Sequence, residues 1–313
     1  MSTVLAHVVS SILPPSVAMA AEARARGGEL AGWLAGARHT PRPSAERRVV
    51  LVAAADHGVA DPGVALGAGH PTAIALAALD GGGAALCKIA RAAGATLLLV
   101  DAGVAEPSHV PPAAVCLSPG HGSGDLATGA ALSIVEVGMA LDAGIALATA
   151  LAEERLDVLA LGALGLGGDV AAAAVIAALT GGDAELAPGD LRAQVAAGLA
   201  HLPPGATPTA VLAAVGGREI AVLAGVILAA AATHVPVIVD GAVTTAAALV
   251  AVRLAPNAAG YVCAAHAGGG PAAAAARRAL GLTPLVAVGL GHGEGTGAAM
   301  ALPLVAAAAA ALA

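Results

Sequence analysis

Val49-Val50-Leu51-Val52-Ala53-Ala54-Ala55-Asp56-His57-Gly58 is the stretch on which the fold turns. Its apolar run, Val49–Ala54, leads into an acid, a histidine and a glycine. A run that is apolar at every position, rather than at alternate ones, suits a parallel strand buried on both faces. The same pattern recurs along the chain. Thr96–Val100 ends in Asp101-Ala102-Gly103, Asp157–Leu161 in Gly162, and Val235–Val239 in Asp240-Gly241. Gly260–Ala265 ends in His266, and Pro284–Val288 ends in Gly289 and runs on to Glu294.

Helical stretches lie between these runs. Gly81-Gly82-Gly83 precedes Ala84–Ala93, which stops at Gly94, a C-terminal cap glycine. Ser133-Ile134-Val135-Glu136 has the spacing of a capping box and opens a helix reaching toward Arg155. Val170–Leu179, Glu219–Ala232 and Thr244–Leu254 read as further helices. Residues 1–48 read as one or two helices, with Ala18–Leu34 weakened at Gly27-Gly28 and a polar exit at His39–Pro43. Gly181–Thr209 reads as a flexible loop carrying one short helix near Leu191–Leu199. Strand–helix alternation predicts the α/β class with a mostly parallel sheet.

Composition removes several functions. The 313 residues are 58% hydrophobic, 11% charged and 1% aromatic, with 42 glycines, no phenylalanine, and only Trp33 and Tyr261 as large rings. A disordered chain is neither so apolar nor so weakly charged. Nucleic-acid binding needs basic patches and stacking platforms, and this chain has a net charge of −7 and one lysine, Lys88. Cys87, Cys116 and Cys263 have no ligand spacing and fit a reducing cytoplasm. The mean hydropathy of +0.86 raises a membrane reading. The longest apolar runs, Ile220–Ala232 and Gly297–Ala313, fall short of it: the first stops at Thr233-His234 and the second is broken by Pro303. A span needs about 20 apolar residues, so both are expected to be buried helices. The N-terminus lacks the basic and apolar regions of a signal peptide.

The few polar residues are informative. Asp56, His57, Asp101, Asp240, His266 and Glu294 all follow proposed strands. In a parallel sheet those positions share the carboxyl edge, where ligands bind, although an aspartate there serves equally as a cap or turn former. Gly162-Ala163-Leu164-Gly165-Leu166-Gly167-Gly168-Asp169 joins a strand to a helix whose free N–H groups suit an anion. The dinucleotide fingerprint fails, because position 170 is Val170 and the acid about 20 residues on is Asp190, after a loop. A monophosphate or carboxylate cradle fits better. Gly291-His292-Gly293-Glu294-Gly295-Thr296-Gly297 sets one carboxylate among glycines. Desolvation there would raise its pKa toward a general base's range. The competing reading is a turn with Glu294 near a helix N-terminus. The histidines show no metal-ligand pair, and no GxSxG elbow is present.

These segments together resemble one family. Asp56 through Val64 resembles its DHGVAxEGV, Gly81 through Ala85 its GGAAI, and Gly122 through Ser133 its GTxDFxxGPAMT. Gly216 through Ala221 resembles GGLEIAA, Pro236 through Leu249 resembles PVLLDGFISTAAAL, and Glu294 through Ala298 resembles EGTGA. The family is nicotinate-nucleotide–dimethylbenzimidazole phosphoribosyltransferase, and the likeness runs in order from Val49 to Pro303.

The resemblance implies a Rossmann-like sheet in a large domain, 49–296, and a small helical subdomain built from 1–48 and 297–313. It implies a homodimer, or a heterodimer with a paralogue. It implies transfer of phosphoribose from nicotinate mononucleotide to a benzimidazole-like or other nitrogen base, with inversion, in cobamide lower-ligand activation. On this reading Glu294 takes the acceptor's proton. Asp56, His57, Gly58, Gly165, Gly167, Gly168, Asp240, Gly241, His266 and Gly295 bind substrate. No metal or redox cofactor is implied, and neither nucleic acid nor membrane is a partner.

The chain also departs from the family. The family's GEMGIGNTT becomes Gly162 through Val170, with Ala163 at a carboxylate position and Asp169 facing the expected phosphate. SAYPQEVT becomes Ala65 through Thr72, so the stacking tyrosine and the glutamine are Gly67 and Gly69. SHxSAEPGH becomes Ala265 through Ala273, and Arg192 is the candidate for a missing phosphate-binding lysine. These changes leave a second reading: a catalytically weak paralogue that binds ligand or partners an active subunit.

Overall fold

The computed structural model describes every residue except 61–66, 68, 118–121, 188 and 291–292, together with the side chain of Asp190. Part of the Asp56–Val64 segment, Ala65, Leu66 and Ala68 of the base-binding segment, and Gly291 and His292 therefore lie outside the described residues.

A six-stranded parallel sheet forms the centre, in the order β3-β2-β1-β4-β5-β6. The strands are β1 (Arg48–Ala55), β2 (Thr96–Gly103), β3 (Val115–Cys116), β4 (Val158–Leu164), β5 (Val237–Val239) and β6 (Val262–Ala264). Helices α1 (Thr3–Ser11) and α2 (Val17–Arg38) precede the sheet, and α3 (Pro71–Asp80) and α4 (Ala85–Ala92) connect β1 to β2. Then α5 (Ile134–Glu153) leads to β4, followed by α6 (Gly168–Thr180), α7 (Arg192–Ala200), α8 (Pro208–Val215) and α9 (Arg218–Ala232). The chain finishes with α10 (Gly241–Leu254), α11 (Gly270–Leu280) and α12 (Thr296–Ala310).

The continuous apolar code of β1 has the expected cause. Successive side chains point to opposite faces. Leu51, Ala53 and Ala55 join one core with α5, α6, α9 and α10. Val50 and Val52 join another with Val158, Ala160 and Ile238, against Leu34 of α2, Leu86 of α4, and Ala298, Leu302 and Val305 of α12. Small side chains let these layers close. A Cβ on Gly144 of α5 would lie 2.9 Å from the carbonyl carbon of Val222 in α9, so these two helices touch backbone to backbone.

Several expectations are corrected. Pro284–Val288 is not a strand; only a single bridge joins Val286 to His266. The remaining strand is β3, whose two residues are too short to carry a pattern. Helices α3, α8 and α11 were not anticipated, although each has a proline in its first turn, where the missing N–H costs nothing. The Gly181–Thr209 stretch carries α7 as expected. Gly28, at φ +81°, does interrupt α2, and the Ser133–Glu136 capping box opens α5. Helix α5 was not among the longest apolar runs, because Glu136 and Asp142 interrupt it. Its 20 residues, with mean hydropathy 1.7, have the length and composition of a membrane span. In this fold one face of α5 is seated on α9, while Ile134, Val135 and Met139 stay exposed.

Candidate active site

The carboxyl ends of β4, β5 and β6 and the N-terminus of α12 enclose a cleft of about 380 Å³. Its floor and walls follow from a turn made by Gly293, Glu294 and Gly295, whose φ angles are +63°, +56° and +89°. Three successive left-handed residues aim the middle one outward from the end of the helix. Only Glu294 carries a Cβ, and an L-residue in this region costs about 1–2 kcal/mol. The surrounding structure holds it there. The N–H and Oγ1 of Thr296 both donate to the Gly293 carbonyl, at 2.9 and 2.8 Å. Gly162 of β4 packs directly beneath: a Cβ there would lie 2.7 Å from the Glu294 carbonyl carbon and 3.0 Å from Gly295 Cα.

Asp240 completes the support. It precedes α10 yet makes no side-chain cap to that helix. Its Oδ2 instead accepts the Gly297 N–H of α12 at 2.9 Å, so β5 is tied to the helix that carries Glu294. Burial pushes the Asp240 carboxyl up, against the opposing pull of that N–H, the Ala298 N–H and Arg277. His266 stands 4.0 Å from Asp240 Oδ1. Its Nδ1 accepts the Gly268 N–H at 3.0 Å, and its Nε2 donates to the Val288 carbonyl. That pattern belongs to the neutral ring, so this contact is not an ion pair. Arg277 donates to the carbonyls of Ala267 and Gly268 at 2.8 and 2.7 Å and fixes the loop behind His266.

Asp56, His57 and Gly58 lie beside the cleft without lining it. The Asp56 carboxylate accepts from Thr72 Oγ1 at 2.5 Å, the Leu166 N–H at 2.9 Å and the Ala105 N–H at 2.8 Å. It therefore ties three connections together at the edge of the cleft. Gly58 likewise packs on the backbone of Gly124 and Asp125. His57 is buried, with Nε2 3.0 Å from Glu219 Oε1 and Nδ1 3.0 Å from Ser123 Oγ. Burial opposes its protonation, but Glu219, Asp56 and Asp169 outweigh that and raise its pKa.

Of the cradle glycines, Gly165 and Gly168 line the cleft and Gly167 does not. A Cβ on Gly165 would lie 2.6 Å from the Ala55 carbonyl carbon, and one on Gly167 would lie 2.9 Å from His57 Cβ. Those two glycines serve chain packing at the end of β1. Asp169 and Glu219 also line this end. Among the described lining residues there is no lysine or arginine. Arg192 pairs with Glu185 at 2.7 Å on the surface of α7 and is not among the described lining residues. Gly241, His266 and Gly295 do line the cleft, with Glu294 and Asp240. Glu219 was not anticipated as a site residue. Its signal is a lone acid opening an apolar helix, one residue beyond Gly216-Gly217 with Arg218 between.

A family model described as phosphoribosyltransferase matches residues 25–313. A nicotinate-nucleotide–dimethylbenzimidazole phosphoribosyltransferase of Salinispora tropica is 40% identical over 288 residues, covering 83% of this chain and 79% of the relative. One from Bradyrhizobium diazoefficiens is 36% identical over 275 residues, covering 83% and 77%. A crystal structure of the enzyme of that name from Thermus thermophilus superimposes with a TM-score of 0.84 at 35% identity, covering 100% of this chain and 96% of the other.

Proposed function

The chain belongs to the nicotinate-nucleotide–dimethylbenzimidazole phosphoribosyltransferase family, and from that premise we propose a reaction assigned to named residues of its cleft. The enzyme is a pentosyltransferase that moves phosphoribose from nicotinate mononucleotide to a ring nitrogen of a benzimidazole-like base. The acceptor nitrogen attacks C1′ as the bond to nicotinate breaks. The nicotinate ring nitrogen starts as a cation and leaves neutral, taking the electron pair of the broken bond. The base becomes positively charged as it bonds and gives up its N–H proton. Glu294 accepts that proton, a general-base role that contributes about 10²–10⁴-fold in rate.

The observation that carries this assignment is the glycine-flanked turn of Glu294 at the cleft. A carboxylate held by backbone contacts is preorganised and needs no rearrangement during the step. Asp240 positions that turn through Gly297. Gly165, Gly168, Gly241, His266 and Gly295 form the walls against which the nucleotide lies. The protein works as a homodimer, a reading supported by exposed Ile134, Val135 and Met139 on α5. The free thiols of Cys87 and Cys263 support a cytoplasmic setting.

The test is stoichiometric. Purified protein is incubated with nicotinate mononucleotide and dimethylbenzimidazole, and both products are followed by chromatography. Nicotinate and the base's riboside phosphate are expected to appear in equal amounts. Nicotinate release without the riboside phosphate would mean hydrolysis, and would sink the transfer assignment.

A further inference from the structure

Glu219 opens α9 and is 1% exposed, yet it lines the cleft. Its Oε1 is occupied by His57 at 3.0 Å, while its Oε2 has no hydrogen-bond partner among the described residues. A buried carboxylate oxygen left without a partner is costly and asks for an explanation. Local packing makes room for it. A Cβ on Gly217 would lie 2.5 Å from Oε2, so glycine there keeps the space above that oxygen clear. The terminal torsion of a glutamate is soft, so Oε2 can turn toward the cleft without leaving its well.

We propose that Glu219 Oε2 accepts a hydrogen bond from a ribose hydroxyl of the nucleotide donor. This inference rests on the functional reading above and names one contact within it. The chemistry at this end of the cleft selects a hydroxyl. Phosphate and the nicotinate carboxylate are anions, which the carboxylates of Glu219 and Asp169 lining this end would repel. The pyridinium nitrogen of the donor is cationic but carries no hydrogen to donate. The ribose hydroxyls are neutral donors, and a carboxylate is the acceptor that strengthens such a bond most. His57, held between Glu219 and Ser123, stays protonated to higher pH than a free imidazole. It balances the charge of Glu219 and fixes the carboxylate by one oxygen, leaving the other for ligand.

Calorimetry compares nicotinate mononucleotide with its 2′-deoxy and 3′-deoxy analogues. Wild-type protein is expected to bind one analogue about tenfold more weakly than the parent, the worth of one charge-assisted hydrogen bond. Glu219→Met removes the acceptor and is expected to abolish that preference by weakening the parent alone. Glu219→Gln keeps a contact to His57, guards against a misfolded methionine variant, and is expected to reduce the preference. Equal binding of all three ligands to wild type overturns the contact, as does a preference unchanged in both variants. Failure of the parent mononucleotide to bind wild type overturns the functional reading itself, and the contact with it.

Discussion

Gly162→Ala probes the geometry on which Glu294 depends. The new Cβ would meet backbone only: the Glu294 carbonyl carbon at 2.7 Å and Gly295 Cα at 3.0 Å, with no flexible side chain to give way. Carbon atoms in contact settle at about 3.5–4.0 Å, so the turn must retreat by roughly 1 Å. Overpacking of this kind costs about 1–3 kcal/mol of stability. A displacement of about 1 Å at a reacting group costs about 10²-fold in rate. The control is Gly144→Ala, where the Cβ would lie 2.9 Å from the Val222 carbonyl carbon in the α5–α9 seam, away from the cleft. Both variants are measured by chemical denaturation and by steady-state formation of riboside phosphate. Gly162→Ala is expected to lose kcat while folded, and Gly144→Ala to lose stability with kcat preserved. Full kcat in Gly162→Ala, or an equal loss of kcat in both, would refute the idea that β4 sets the position of Glu294.

Four further outcomes are expected. The folded pKa of His57 lies above its unfolded value, so its protonated pair with Glu219 stabilises the fold below about pH 6.5 and is lost as pH rises through the raised value. Melting curves of wild type and His57→Gln should therefore converge on the alkaline side, and parallel curves would contradict this. His234 has the opposite sign: burial, His39 and Arg38 lower its pKa, so its contribution is lost as pH falls below about 6.5. The Tyr261 hydroxyl donates to the Leu13 carbonyl at 3.0 Å and meets His39 Nε2 at 3.1 Å, beside stacked His39 and His234. Tyr261→Phe should cost about 1–2 kcal/mol in denaturant titration, and no change would show that these bonds are replaced by water. Light scattering should give twice the chain mass, with Val135→Glu shifting it to the monomer; a monomeric wild type would rule out the homodimer.

The sheet was legible because doubly buried strands are apolar at every position, as in Val50 through Ala55. Strand β3 escaped because two edge residues have no period, and Pro284–Val288 looked like a strand because its apolar run lies beside β6 with only one bridge. Glu294 stood out as a lone acid among glycines, and the same glycines turn out to give it a left-handed turn. Asp56 reads as a ligand-facing acid after a strand, but its partners come from Thr72, Ala105 and Leu166, which no local pattern brings together. Glu219 was hidden for a related reason. An acid in the first turn of a helix is an ordinary response to the helix dipole, and only the fold sets it against His57 and the cleft.

Glu294→Gln is the most direct probe of the proton transfer. The change removes the proton acceptor and leaves the shape of the turn. Riboside-phosphate formation from nicotinate mononucleotide and dimethylbenzimidazole should fall by about 10²–10⁴-fold relative to wild type, with binding of the mononucleotide retained. A Glu294→Gln protein that forms the product at the wild-type rate would contradict the claim that Glu294 is the base of this transferase.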